Sequence, residues 1–214
     1  ANSLTTKGEL WTARATPNDG YLDGAYTEAS TEIMNSPPTI DSLTLDANQA
    51  TSAQNVTCTG TSSDLDADPL SESYVWMNET TGIVLGSSAT LIFSPLSVSP
   101  GDSISCSYSV DDGSTSQSQE TIISVINTDP TIDSISVVPS TPYLGDILSC
   151  IGIVSDEDLE STTETYLWEN QTTGTTLSTN SSITIDANNA SPNDEISCTF
   201  TTNDTSGGST NDSA

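Results

Sequence analysis

The chain has no histidine, a single lysine (Lys7) and a single arginine (Arg14), against 30 Asp and Glu in 214 residues, a formal net charge of −28. With almost no basic side chains it has nothing to set against phosphates. Nucleic acid is therefore ruled against as a partner, and an anionic membrane surface is disfavoured for the same reason. Without histidine, and with no thiol left once the cysteines pair, acid–base and nucleophilic chemistry would fall to carboxylates alone. Paired carboxylates are abundant, as any all-acidic surface produces by chance, but no cleft-forming insertion interrupts the short segments. The chain is read as no enzyme. Long apolar runs are missing too: no stretch of about 18 such residues exists, so no segment is read as crossing a membrane or inserting directly into one. No basic segment leads into an apolar one at the N-terminus and no anchor motif stands at the C-terminus. The expectation is a chain that begins after signal cleavage or inside a longer protein.

Aromatic residues are scarce at 5%, and all hydrophobic residues together make up 33%. Each core must be small, and at first sight such a composition suits disorder. Two features argue against it: apolar residues alternate with polar ones, and the four cysteines fall in a regular pattern. The acidic excess keeps the chain soluble and favours a medium where salt or divalent cations screen it.

What is present in abundance is self-similarity. Pro38-Thr39-Ile40-Asp41-Ser42 recurs as Pro130-Thr131-Ile132-Asp133-Ser134, an offset of 92 residues. Cys58 recurs at Cys150, Trp76 at Trp168, Cys106 at Cys198, and Thr80-Thr81-Gly82 at Thr172-Thr173-Gly174, all at the same offset of 92. One register holds throughout, the mark of a tandem repeat. Within a repeat Val56, Cys58 and Gly60 alternate with polar neighbours, as do Tyr74 and Trp76, Leu91 and Phe93, then Ile104, Cys106, Tyr108 and Val110, then Ile123 and Val125. This period of two predicts half-buried antiparallel strands. The breaks fall at Asp68-Pro69, Thr81-Gly82, Pro100-Gly101 and Asp112-Gly113, which are turn chemistry. No segment sustains a 3.6-residue apolar period, so almost no helix is expected.

In each repeat a Trp follows the first Cys by 18 residues and the second Cys follows the first by 48. In an immunoglobulin-type sandwich two cysteines join the sheets through strands B and F, and a Trp on strand C packs against them. The alternation places Cys58, Trp76 and Cys106 inward, consistent with that arrangement. It favours Cys58 with Cys106 and Cys150 with Cys198 over the other two connectivities. Zinc would need close cysteine pairs, which are absent. Disulfides imply an oxidising compartment, hence an extracellular or cell-surface location. The same register makes Trp76 and Trp168, with Tyr74 and Tyr166, core residues rather than a sugar-binding platform.

The first residues resemble a repeat cut short. Trp11, Ala13 and Ala15, the turn Asn18-Asp19-Gly20, then Thr31 and Ile33 before Asn35-Ser36-Pro37-Pro38, read as the F and G strands of a preceding repeat with Ala13 in place of the cysteine. At the far end Ala214 aligns with Ile122, so the last repeat is expected to stop before its G strand is made. Two readings follow: a window on a longer tandem array, or the subunit of a polymer in which a segment such as Ala25–Met34 adds a strand to the next copy.

Cys58…Asp64-Leu65-Asp66…Tyr74-Val75-Trp76…Pro100-Gly101-Asp102…Cys106…Asp112-Gly113…Asn127-Thr128-Asp129-Pro130-Thr131 resembles the tandem Ig-like/PKD-like repeats of large microbial cell-surface and secreted proteins. The resemblance covers nearly the whole chain and implies a stalk, adhesin spacer or surface fibre.

Two kinds of site stand out. Asp64-Leu65-Asp66-Ala67-Asp68 places three carboxylates at alternate positions, and Asp156-Glu157-Asp158 repeats part of it. Hard oxygens at such spacing suit calcium, although EF-hand spacing is missing; solvated acidic loops are the plainer reading. Asp111, Asp112, Asp129 and Asp133 add carboxylates at the repeat junctions. Asn-x-Ser/Thr sequons occur at Asn55, Asn78, Asn170, Asn180, Asn189, Asn203 and Asn211, with Asn78 and Asn170 the first choices for covalent glycans because they share one position in the two repeats.

The sequence therefore predicts an all-β chain of tandem Ig-like antiparallel sandwiches with one disulfide per complete repeat: a partial repeat at 1–35, one domain at 36–126, and a second at 127–214 lacking its last strand. No cofactor is required, with calcium and glycans as optional partners. The function expected is a structural fibre, filament or stalk contacting its own copies or adjacent repeats. An adhesive module recognising a glycan or protein on another surface is the alternative.

Overall fold

The computed structural model describes residues 5–214, and the first four residues of the predicted 1–35 segment lie outside them. Among the described residues every regular element is a strand. Strands β1 (Leu10–Ala15) and β2 (Thr27–Glu32) form an antiparallel hairpin in which Trp11 faces Thr31 and Ala13 faces Ala29. All of its strand residues are exposed. The segment read as a strand donor is thus engaged with β1 on one edge and free on the other.

The first domain is a sandwich. One sheet runs β3 (Thr39–Leu45), β5 (Asn55–Ser63), β8 (Thr90–Ile92). The other runs β4 (Gln49–Ala50), β10 (Ser116–Val125), β9 (Ser103–Asp111), β6 (Ser71–Asn78), β7 (Ile83–Gly86). β4 lies parallel to the end of β10, and the other pairs are antiparallel. This is the A-B-E against C′-C-F-G arrangement of Ig-like sandwiches, with a short A′ strand added.

The second domain repeats it: β11 (Thr131–Val138), β12 (Ile147–Ser155) and β15 (Ser182–Thr184) face β14 (Thr175–Ser178), β13 (Thr163–Asn170), β16 (Ile196–Asn203) and β17 (Ser209–Ser213). The expected absence of a last strand is corrected here. β17 pairs with β16 from Thr199↔Ser213 to Asn203↔Ser209. It is a shortened G strand that carries no apolar residue, which is why periodicity did not find it. Half a strand can form because the F strand offers its open backbone edge whatever the side chains are.

Inward residues of both sheets meet as the alternation requires. Trp76 is directly opposite Cys106, and Trp168 opposite Cys198. Disulfides Cys58–Cys106 and Cys150–Cys198 tie β5 to β9 and β12 to β16, joining the two sheets of each domain. Both Trp side chains are fully buried, and their indole N–H groups donate to Ser88 O and Asn180 O. Gly60 is needed where it stands: a Cβ there would lie 2.6 Å from the Tyr108 ring, and one at Gly152 would lie 2.4 Å from Phe200. The missing side chain lets an aromatic ring on the F strand lie flat against the B strand. Tyr74 and Tyr166 pack on Tyr108 and Phe200 with ring centroids 5.1 and 5.5 Å apart, which places them in the cores.

The cores differ at one end. Ile123 and Val125, at the end of β10, pack with Ala50, Val56 and Ile104 in the first domain. In the second, Val137, Pro139, Pro142, Leu148, Ile196 and Ala214 instead line an open groove of about 410 Å³.

Candidate functional site

The polar chemistry of the chain concentrates at the two junctions, and it recurs there. At the first, the Asn35 amide donates to Asp112 Oδ2 at 2.9 Å and the Ser36 N–H to Asp66 Oδ2 at 2.6 Å. At the second, Asn127 donates to Asp204 Oδ2 at 2.9 Å and the Thr128 N–H to Asp158 Oδ2 at 2.7 Å. Each acidic loop is shaped by its own first carboxylate. Asp64 Oδ1 accepts the Asp66 and Asp68 N–H groups, and Asp156 Oδ1 those of Asp158 and Glu160. That turn sets Ala67 and Leu159 at φ of 61° and 59°, left-handed backbone that non-glycine residues adopt at a cost.

Of the five sequence candidates for a metal, Asp64 and Asp68 fall in one cluster and Asp156 and Asp158 in another, and only Asp66 joins neither. Asp64 and Asp68 converge with Asp112, while Asp66 is occupied by the Ser36 N–H. Asp156 and Asp158 converge with Glu160, their carboxylate oxygens within 4.8 Å of one another. Sequence reading missed Glu160, although Asp156, Asp158 and Glu160 keep the alternate spacing and Glu160 stands 92 residues after Asp68. Of the other junction acids, Asp133 accepts Ser155 Oγ away from the cluster.

The first junction is already supplied with a cation. Lys7 Nζ donates to Asn35 Oδ1 at 2.9 Å and forms an ion pair with Asp68. The hydrogen bond to Asp68 raises the lysine pKa. Asp112 is held well below the ordinary carboxylate range by the Asn35 amide first and by the Thr115 and Ser114 N–H groups after it. Burial pushes Asp158 up, but the Ser52 and Thr128 groups facing it outweigh burial and its pKa is lowered. Asp204 behaves alike: burial raises it, and Asn127 with the Gly208, Gly207 and Ser206 N–H groups lowers it further.

A depressed folded-state pKa stabilises the fold above the unfolded value and loses that contribution as pH falls. Asp112→Asn is therefore expected to destabilise the chain at pH 7, and the gap to the parent to close as pH drops below about 4. Thermal melts of both chains from pH 7 to pH 2.5 measure it. The comparison cancels the general relief of acidic repulsion, and a gap independent of pH would refute the assignment.

The sequons sort by burial. Asn55, Asn180 and Asn211 are exposed. The first choices, Asn78 and Asn170, are 0% and 1% exposed and must be corrected. Their amide nitrogens donate inward to Asp102 at 2.7 Å and Asp194 at 2.8 Å, which leaves no room for a sugar in the folded chain. Asn189 is half-buried with its amide on Thr184 O, and Asn203 is half-buried on β16.

No family model matches the chain and no curated protein matches it. Among solved structures, it is similar to the fibronectin(III)-like modules of CbhA from Clostridium thermocellum, at 14% identity over 82% of this chain and 90% of that one, with a TM-score of 0.29. Immunoglobulin domains 1–5 of Sidekick-1 match at 15% identity over 97% of this chain and 44% of that one, TM-score 0.32. The three N-terminal domains of the highly immunogenic outer capsid protein of bacteriophage RB49 match at 12% identity over 100% and 89%, TM-score 0.31. The chain folds as tandem Ig-like β-sandwiches. Its own strand order, its B-to-F disulfides and the Trp beside each of them carry that assignment.

Proposed function

We propose that this chain is a structural segment of an extracellular fibre, filament or stalk, acting without catalysis. The observation that carries the reading is the junction. Asn35 to Asp112 and Asn127 to Asp204, with Ser36 to Asp66 and Thr128 to Asp158, are the same contacts made at two successive joints. A repeated joint gives repeated modules one orientation, which is what an extended support requires. The covalent tie across each thin core fits an oxidising exterior.

The groove of the second domain is a place where an extended strand could add. In the first domain the same place is filled by Ile123 and Val125 of β10. An extended strand, whether the chain's own continuation, a following repeat or another copy, would complete it. The test is a peptide with the sequence of residues 121–127, added to the purified chain while association is followed by sedimentation and electron microscopy. End-to-end association that the peptide blocks is the expected result. A chain that stays monomeric and ignores the peptide would overturn strand addition, and a monomer that captures surface glycans or proteins would favour an adhesive module.

A further inference from the structure

Among the described residues, none does at the second junction what Lys7 does at the first. Lys7 Nζ bridges Asn35 Oδ1 and Asp68. Their counterparts one repeat later are Asn127 and Glu160. Asn127 Oδ1, Glu160 Oε2, Asp156 Oδ2 and Asp158 Oδ1 are all buried atoms with no hydrogen-bond partner. Asp158 is 5% exposed, and the fully buried Ser52 faces it from the preceding domain, its hydroxyl turned to that carboxylate without reaching hydrogen-bond geometry with any partner. Oxygens held this way repel one another and have given up water for nothing in return. At the first junction, Asp64 Oδ2 is the one buried carboxylate oxygen without a hydrogen-bond partner among the described residues.

We infer that the second junction is a binding site for a hard divalent cation, calcium, which takes the place held by the Lys7 ammonium at the first. The ligand set is oxygen only: carboxylates of Asp156, Asp158 and Glu160, the amide oxygen of Asn127, and the hydroxyl of Ser52. Three negative charges with neutral oxygens suit a cation that accepts six to eight oxygens in flexible geometry; magnesium needs a tighter octahedron and keeps its waters. The donors come from the first domain, the linker and the second domain, so the ion would lock the joint. The site is argued from its own donors and stands whether or not copies associate.

The test is calcium titration calorimetry on the full chain at fixed ionic strength, with magnesium and potassium as controls. One calcium per chain is expected, with a dissociation constant of order 0.1–1 mM, as in extracellular modules. Asp158→Asn is expected to weaken it at least ~10-fold, and saturating calcium to raise the melting temperature by about 5–10 °C. Lys7→Gln uncovers the first cluster and is expected to take the stoichiometry from one to two, so the proposal does not depend on a variant that loses its fold. Retained Trp76 and Trp168 fluorescence checks folding in each variant. Equal effects of potassium and calcium at matched ionic strength would overturn the site. So would calcium binding unchanged by Asp158→Asn, and equal binding of magnesium would overturn the assignment to calcium.

Discussion

Replacing Cys58 and Cys106 together with alanine is expected to lower the stability of the first sandwich domain by about 4 kcal/mol. The bond closes a loop with a sequence separation of 48, and releasing that much chain in the unfolded state accounts for the figure. The domain has few other reserves, since its buried core cluster is ten residues centred on Trp76. At about 4–8 °C per kcal/mol for a domain of this size, the melting temperature falls by roughly 15–30 °C. Calorimetry reads this cleanly, because the second sandwich domain keeps Cys150–Cys198 and serves as an internal reference. If both domains melted where they do in the parent, the disulfide would not be what holds so small a core together.

The second large effect concerns Asn78. Its amide donates to Asp102 Oδ2 at 2.7 Å and Ser97 O at 3.4 Å, and its Oδ1 accepts the Thr80 and Thr81 N–H groups at 3.0 and 3.2 Å. The side chain ties the end of the C strand, the turn after it and the approach to the F strand into one buried knot. Asn78→Ala leaves Asp102, 8% exposed, with the Ser99 N–H as its remaining donor, and two turn N–H groups unpaired. The expected cost is about 3 kcal/mol. Asn78→Asp should cost more, because it sets a second carboxylate against the first. Denaturant melts of both variants measure the order, and peptide mass should show residue 78 without sugar. An Asn78→Ala chain as stable as the parent would sink this account. Asn170 repeats the arrangement on Asp194, with Asn189 O, Thr172 and Thr173 as the other partners.

Asn78 also shows where sequence reading stops. Asn-Glu-Thr satisfies a sequon, and Asn170 holds the same position in the next repeat. Both positions recur because both are structural. Which way an amide points depends on Asp102, 24 residues further on, and no local pattern records that. β17 failed for a different reason. Ser209-Thr210-Asn211-Asp212-Ser213 has no apolar face, and the strand exists because β16 has an edge to share. Glu160, by contrast, was legible in the sequence twice over, completing the alternate spacing of Asp156 and Asp158 and standing 92 residues after Asp68.

The sequence by itself determined the strands, the 92-residue repeat and the inward placement of Cys58, Trp76 and Cys106, because side chains alternate across a strand with a period of two and the pattern is local. Only the tertiary structure decided the junctions. Asn127 meets Asp204 across 77 residues, Thr128 meets Asp158 across 30, and Ser52 reaches the same place from another domain. Whether an acidic loop is solvated or is a site turns on whether its oxygens find donors, and that is settled by which segments converge.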